Sequence, residues 1–364
     1  MYNKLMDSKI IKKLLAYAKE HEILDLAITQ RNGYHILYGE NSLAKHKLKL
    51  PAKLETELGD AYRHLLALAP NDLISGAYIK DQGLAYRLSI IPDGSGEKII
   101  ISAVTKTKKL MPLSHLGLGR NERQLIEKFL QKRRGLIIVG SGDNQGKTTT
   151  LYSLLEKIDQ AKHSCYSLEK YPELKLDGIS QVITKPDKRL EGLERILKSD
   201  SEVIMIDDAD DKLLKEALAA SRTGRLVMVG LKTANLATLL KKVEAISQAE
   251  NLPILIIHQQ LLAKNCPHCL KAYAINESEE LIAKYWPADK RYQPKYFFTS
   301  QGCAHCNYSG AKGQIASFNL LQLNNKKLDV LSTLAADALQ KAANGLISVS
   351  KYLAQPKPDS SKKL

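Results

Sequence analysis

Residues 135–158, GLIIVGSGDNQGKTTTLYSLLEKI, narrow the possible folds more than any other part of the sequence. An apolar strand over Leu136–Val139 runs into a polar, glycine-bearing loop, and Gly146-Lys147-Thr148 opens a helix. In such a loop, backbone N–H groups and the helix N-terminus face phosphate oxygens. The lysine reaches the β and γ phosphates of a nucleotide, and the threonine hydroxyl binds magnesium. Lys147 and Thr148 are therefore the leading binding candidates, with Ser141, Gly142, Asp143, Asn144, Gln145, Gly146 and Thr149 completing the cradle. The loop departs from GxxxxGK[ST]: Ser141 takes the place of the first glycine, and the glycines are displaced to Gly140 and Gly142. Asn144 stands where a related loop often carries another glycine, and asparagine tolerates left-handed backbone better than most residues. A ligand-free strand-to-helix turn is the alternative that the loop alone leaves open.

From Gly135 the pattern runs strand, loop, helix, strand, helix, strand, which predicts a parallel sheet with crossover helices. Upstream, Ser8 can cap an amphipathic helix carrying Ile10, Ile11, Leu14, Leu15 and Ala18. ILDLAITQ and YHILYGEN flank Arg31-Asn32-Gly33 as a hairpin. A helical stretch around Leu54–Leu68 follows, then GLAYRLSII and EKIIISAV across the turn 92–96. The expected organisation is an α+β domain (1–112), a linker and leading helix (113–134), and a P-loop core (135–260). A cysteine-bearing subdomain (261–323), a helical region (324–354) and a frayed tail (355–364) complete it.

At 364 residues the chain can bury more than one core. No apolar run reaches the roughly 18 residues of a spanning helix, and MYNKLMDSK offers no signal peptide. The expectation is a cytoplasmic protein. The net charge of +15 is unevenly spread. Residues 1–134 hold 23 basic against 14 acidic side chains, 135–250 hold 17 against 18, and 251–364 hold 14 against 7. A nucleic-acid enzyme concentrates basic charge around its catalytic part, whereas here that part is neutral. With no arginine-rich tract or aromatic–basic interleaving, nucleic acid is not expected as a partner. The basic flanks suit solvated surface or docking to acidic protein or lipid surfaces.

Four of the five cysteines form two CxxC pairs, Cys266/Cys269 and Cys303/Cys306. Each short spacing lets two thiolates close on one tetrahedral ion, and four fill a structural zinc site with no open position. A chain without an export signal argues against disulfides; haem or iron–sulfur ligation is the alternative left by spacing alone. His268 and His305, inside the pairs, are expected at the surface, and Cys165 as a buried apolar residue.

Taken in order, these motifs resemble the type II secretion and type IV pilus assembly ATPase family over about residues 20–323. RLSIIPDGSGEKIII at 87–101 is similar to the end of the family's second N-terminal domain, and YSLEKYPELKLDGISQV at 166–182 to its acidic box. There Glu169, Glu173, Gly178, Gln181 and Val182 fit, while Lys170 replaces an aspartate. SDSEVIMIDDADD at 199–211 resembles the Walker B strand, with Asp207, Asp208 and Asp210 where the family has glycine, catalytic glutamate and arginine. Thr223-Gly224 fits a TG pair, Lys232 takes the place of the family's box histidine, and the run Gly302–Gly313 resembles its tetracysteine insertion.

The resemblance implies a RecA-like P-loop NTPase domain with a tetracysteine zinc insertion, behind a small α+β domain. It implies ATP, Mg2+ and Zn2+ as cofactors, and Asp208, Asp207, Glu169 and Arg87 as catalytic candidates. Arg87 would reach nucleotide from the N-terminal domain, the alternative being an exposed strand cation. The working unit would be a homo-hexamer, or a ring mixed with a paralogue, docked on pilus or secretion platform proteins at the cytoplasmic face of the inner membrane. Two functions follow: an ATP-hydrolysing assembly motor, slowed by aspartates one methylene shorter than glutamate, or a nucleotide-binding scaffold that no longer hydrolyses.

Overall fold

The computed structural model describes residues 110–353 apart from 171, 234, 248–251, 276–293 and 325–326. Before residue 110 it describes the backbone of six strands and little else. The expected helices near Ser8 and Leu54–Leu68, and the tail after residue 354, lie outside the described residues. The chain divides into two compact units, 1–109 and 110–364.

In the first unit β1 (Asp25–Arg31) and β2 (Tyr34–Asn41) pair antiparallel with Arg31 opposite Tyr34. The pairing thus ends on either side of Asn32-Gly33, as the sequence expects of this hairpin. The remaining strands are β3 (Ala44–Lys47), β4 (Ala77–Asp81), β5 (Leu84–Asp93) and β6 (Gly96–Val104), in the sheet order β3-β2-β1-β6-β5-β4. The β5–β6 turn is tighter than the sequence suggests: pairing continues to Asp93 opposite Gly96, so only two residues connect the strands.

The second unit is built on an eight-stranded sheet. Its strands are β7 (Gly135–Ser141), β8 (Cys165–Glu169), β9 (Ile179–Ile183), β10 (Val203–Ile206), β11 (Leu226–Lys232), β12 (Ile254–Asn265), β15 (Ala311–Asn324) and β16 (Lys327–Ser332). The order is β16-β15-β12-β7-β11-β10-β8-β9; the six strands from β12 to β9 are parallel, and β15 and β16 add antiparallel. Every residue of β7 is buried, as expected of a central parallel strand covered on both faces. Ile137 and Val139 face a core with Ile126 and Phe129 of α1 (Arg120–Gln131) and Leu151 and Leu155 of α2 (Lys147–Leu155). Leu136 and Ile138 face the opposite core, with Leu193 of α3 (Arg189–Leu197), Leu214 of α4 (Asp211–Arg222) and Leu239 of α5 (Leu236–Ser247). This is the α/β arrangement with crossover helices that the sequence predicts.

A smaller antiparallel pair, β13 (Leu270–Ala274) and β14 (Tyr296–Ser300), packs Phe297 against Leu262 and against Ala338, Leu339 and Ala342 of α6 (Leu334–Ala343). A short α7 (Val349–Leu353) follows. The region after residue 324 thus contributes an edge strand as well as helices. Among the described residues no helix is long and apolar enough to cross a membrane.

One buried contact ties β12 to β15 with a defined protonation state. Asn319 Oδ1 accepts from the Leu334 N–H at 2.7 Å, which turns its amide nitrogen toward His258 Nδ1 at 2.9 Å. Nδ1 must then be an acceptor, so the ring is neutral, and burial pushes its pKa down to about 4. Because the folded-state value lies below the unfolded value near 6.5, stability is intact above about 6.5 and falls as pH drops toward 4. His258→Leu is expected to remove an acid-limb slope of roughly 1.4 kcal/mol per pH unit in that window, read by denaturant unfolding; identical slopes in both proteins would refute the assignment.

Candidate nucleotide and metal sites

The phosphate loop leaves β7 at Ser141 and returns as α2 at Lys147. Asn144 (φ 55°) and Gly146 (φ 80°) are left-handed, so the asparagine does adopt the backbone expected of it. Alternation of this kind turns successive N–H groups toward one concavity. Ser141 is buried, and its carbonyl accepts from Thr233 at 2.9 Å. Gly142 has only Gln145 near it, Asp143 and Asn144 are exposed, and Thr149 sits half-buried in the first turn of α2.

Two residues absent from the sequence-based candidates hold the loop. Gln259 on β12 donates to the Gln145 carbonyl at 2.6 Å and accepts from Thr150 at 2.7 Å. The Gln145 side chain accepts from the Leu261 N–H at 2.6 Å. A buried glutamine inside an apolar strand is the sequence signal for such a tether, since an amide in that place needs polar partners.

Beyond β11, the end of β10 brings two aspartates to the loop. Lys147 pairs with Asp208, and Thr148 Oγ1 donates toward the Asp207 carboxylate at 3.2 and 3.3 Å. The Lys147 stem crosses Gly230 on β11; an added Cβ there would meet Lys147 Cε at 3.1 Å, so the glycine is the floor on which the lysine lies. Asp207 is half-buried, and desolvation pushes its carboxyl up to about 6 against the opposing charge of Lys147. Asp208 is more than half exposed and left-handed (φ 55°), a conformation costing a non-glycine residue roughly 1–2 kcal/mol. The two carboxylates therefore differ: Asp207 is half-buried beside the threonine, and Asp208 faces solvent beside the lysine.

Other candidates have other surroundings. Glu169 is fully buried and accepts from Tyr152 Oη, from Ser167 Oγ at 2.5 Å and from Gln181 at 3.1 Å, so it joins α2 to the acidic box. Asp210 is the N-cap of α4, accepting from Leu213 N–H at 2.8 Å, and Lys232 pairs with Asp143 at 2.5 Å. Arg87 lies in β5 of the first unit, opposite Tyr78 and Ser102; its side chain is outside the described residues.

Cys266, Cys269, Cys303 and Cys306 come together with all four sulfurs within 4.8 Å of one another. Sulfur separations of 3.8, 3.9 and 3.9 Å match the edge of roughly 3.8 Å that a tetrahedron with Zn–S bonds near 2.3 Å requires. They are far too long for disulfides, which need about 2.05 Å. Backbone N–H groups of Gly302 and Cys303 donate to Cys269 and Cys306 sulfurs at 3.3 and 3.2 Å, as suits thiolates. The cluster fits one tetrahedral metal ion. His268 and His305 are exposed and stack on each other at 4.0 Å, outside the sulfur set. Cys165 begins β8, is buried, and burial pushes its thiol up to about 11.

Comparison with known proteins gives the family and the fold. The family described as Type II/IV secretion system protein matches residues 67–349. Type II secretion system protein E of Dickeya dadantii is 26% identical over 295 residues, 78% of this chain and 56% of its own length. The type IV pilus assembly ATPase PilB of Pseudomonas aeruginosa is 29% identical over 252 residues, 67% of this chain and 44% of its own. The chain thus spans about half the length of these curated relatives. Among solved structures, the ATPase DotB of Legionella pneumophila superposes with a TM-score of 0.61 at 16% identity, covering 94% of both chains. The pilus retraction motor PilT with bound ADP gives 0.58 at 16% identity, covering 95% of this chain and 97% of its own. At such identities the structural likeness speaks for the fold, and the sequence match for the family. With that match covering well over half of its residues, the chain belongs to the type II/IV secretion system protein family.

Proposed function

We propose that the chain binds MgATP at the β7–α2 loop and hydrolyses it as the motor subunit of a type II secretion or type IV pilus assembly machine. The observation that carries this reading is the convergence of Lys147 and Thr148 with Asp207 and Asp208. Loop N–H groups and Lys147 would hold the phosphates, and Thr148 with Asp207 would hold magnesium, which shields phosphate charge when bound. Asp208, exposed and reached by solvent, would orient the attacking water after exchanging Lys147 for its own hydrogen bond to that water. Glu169 would act through Tyr152 and Gln181 by fixing α2 against the acidic box. The family supports a ring of six such subunits at the cytoplasmic face of the inner membrane, docked on platform proteins; the basic regions flanking the neutral core suit such docking.

Steady-state phosphate release tests the reading. Wild-type chain is expected to turn over MgATP, with Lys147→Ala and Asp208→Ala each lowering the rate at least roughly 100-fold, the scale of losing a positioned catalytic group. ATP binding without turnover in the wild type would instead assign a nucleotide-binding scaffold, and absence of binding would refute both.

We further propose zinc as the ion of the four cysteines. Purified chain should carry one zinc per molecule by atomic emission, and Cys303→Ser/Cys306→Ser should carry little. Because Phe297 and α6 form a core of their own, ATP binding at Lys147 should change only a few-fold in that variant. Full zinc content in the double variant would contradict the assignment.

A further inference from the structure

The arginine that opens α3 stands out from the face it occupies. Arg189, Gly192, Leu193 and Ile196 form the inward stripe of α3, and the stripe is otherwise glycine and apolar. Gly192 lets the helix lie close to the sheet: an added Cβ would meet Thr184 Cγ2 at 2.6 Å and Leu168 Cδ1 at 3.0 Å. The same close approach brings the Arg189 guanidinium under the end of β10. One terminal nitrogen donates to the Asp208 carbonyl at 2.5 Å, and the other to the Asp207 carbonyl. The side chain is buried at 8% exposure, and its Nε has no hydrogen-bond partner. Burial lowers its pKa while Asp207, Asp208 and Asp210 oppose that shift.

These contacts hold the two peptide units that aim the carboxylates. The chain must turn left-handed at Asp208 directly after a straight parallel strand, and Ala209 then donates to the Gly230 carbonyl at 2.8 Å. A two-pronged guanidinium on consecutive carbonyls restrains both peptide planes at once, which a lysine ammonium cannot do with the same geometry. Asp210, two residues on, is committed to capping α4 and holds no cation in place for these carbonyls. The cation near the Walker B segment therefore comes from a different element.

We propose that Arg189 is a positioning residue for magnesium-dependent nucleotide binding, gripping the Asp207 and Asp208 carbonyls so that one carboxylate meets Thr148 and the other Lys147. The inference rests on the nucleotide reading above and goes beyond it by assigning the Mg2+-dependent part of affinity to a residue that touches neither ion nor nucleotide. A merely structural arginine would affect binding with and without magnesium alike. This arginine acts through the carboxylates, whereas the loop N–H groups are held by β7 and Gln259 and the Lys147 stem rests on Gly230.

The test is equilibrium binding of a fluorescent ATP analogue to the full chain in EDTA and in Mg2+. Wild type, Arg189→Met and Arg189→Lys are compared, with circular dichroism and thermal melting to verify folding. The expected result for Arg189→Met is affinity in EDTA within about 2-fold of wild type and a loss of about 10-fold or more in the gain that Mg2+ confers. Arg189→Lys, which keeps the charge without the fork, should fall between them. If Met fails to fold, Lys carries the test through the same two-buffer comparison. Equal losses in both buffers, an unchanged Mg2+ gain, or a Lys variant equal to wild type would overturn the proposal. A wild-type chain that binds in neither buffer would remove the nucleotide reading itself, and this proposal with it.

Discussion

Lys147 lies on the floor made by Gly230 and needs a negative partner, because its side chain is only 13% exposed and a cation there is poorly solvated. In this structure the partner is Asp208. Most of the second unit can be traced to keeping those two groups within reach: β7 delivers the lysine, β10 delivers the aspartate, and β11 lies between them with a glycine at the crossing. Thr148 and Asp207 repeat the arrangement one residue along. The site is thus internally neutralised and can exchange each protein–protein contact for one to phosphate, magnesium or water without exposing an unpaired buried charge.

The parallel core was legible because its strands are short, continuously apolar and separated by helical periods, a pattern that few other folds use. The loop was legible from Gly146-Lys147-Thr148, and Asn144 from its tolerance of positive φ. Spacing alone indicated the metal cluster, since each CxxC pair already sets one sulfur–sulfur edge of the tetrahedron in local sequence. What spacing could not convey was partnership across the sheet. Gln259 stands in a His-Gln-Gln run within β12 and Arg189 among other charged residues of α3, and only the fold reveals that one tethers the loop and the other the turn after β10. Asp210, an acid of the run 199–211, caps a helix, a role that a one-dimensional motif does not distinguish from chemistry.

Charges around the loop also occur in pairs. Lys232 meets Asp143 from the loop after β7, so a cation and an anion neutralise each other at the rim. An aspartate at 210 is matched by an arginine at 189, whose guanidinium lies near enough to feel its charge. Charge is redistributed among elements while the balance around the loop is kept, which is consistent with the near-neutral count of residues 135–250 against the basic flanks.

The most direct measurement of the central claim is the affinity of MgATP for Asp208→Asn, obtained by titration calorimetry beside the wild type. If Lys147 is held by Asp208 and handed to phosphate, removing the carboxylate's charge frees the lysine and removes a like charge facing the triphosphate. ATP should then bind at least as tightly as to wild type, by roughly up to 10-fold tighter for one relieved charge contact. Markedly weaker binding to Asp208→Asn would contradict the account, showing that the aspartate supports the nucleotide rather than holding its place.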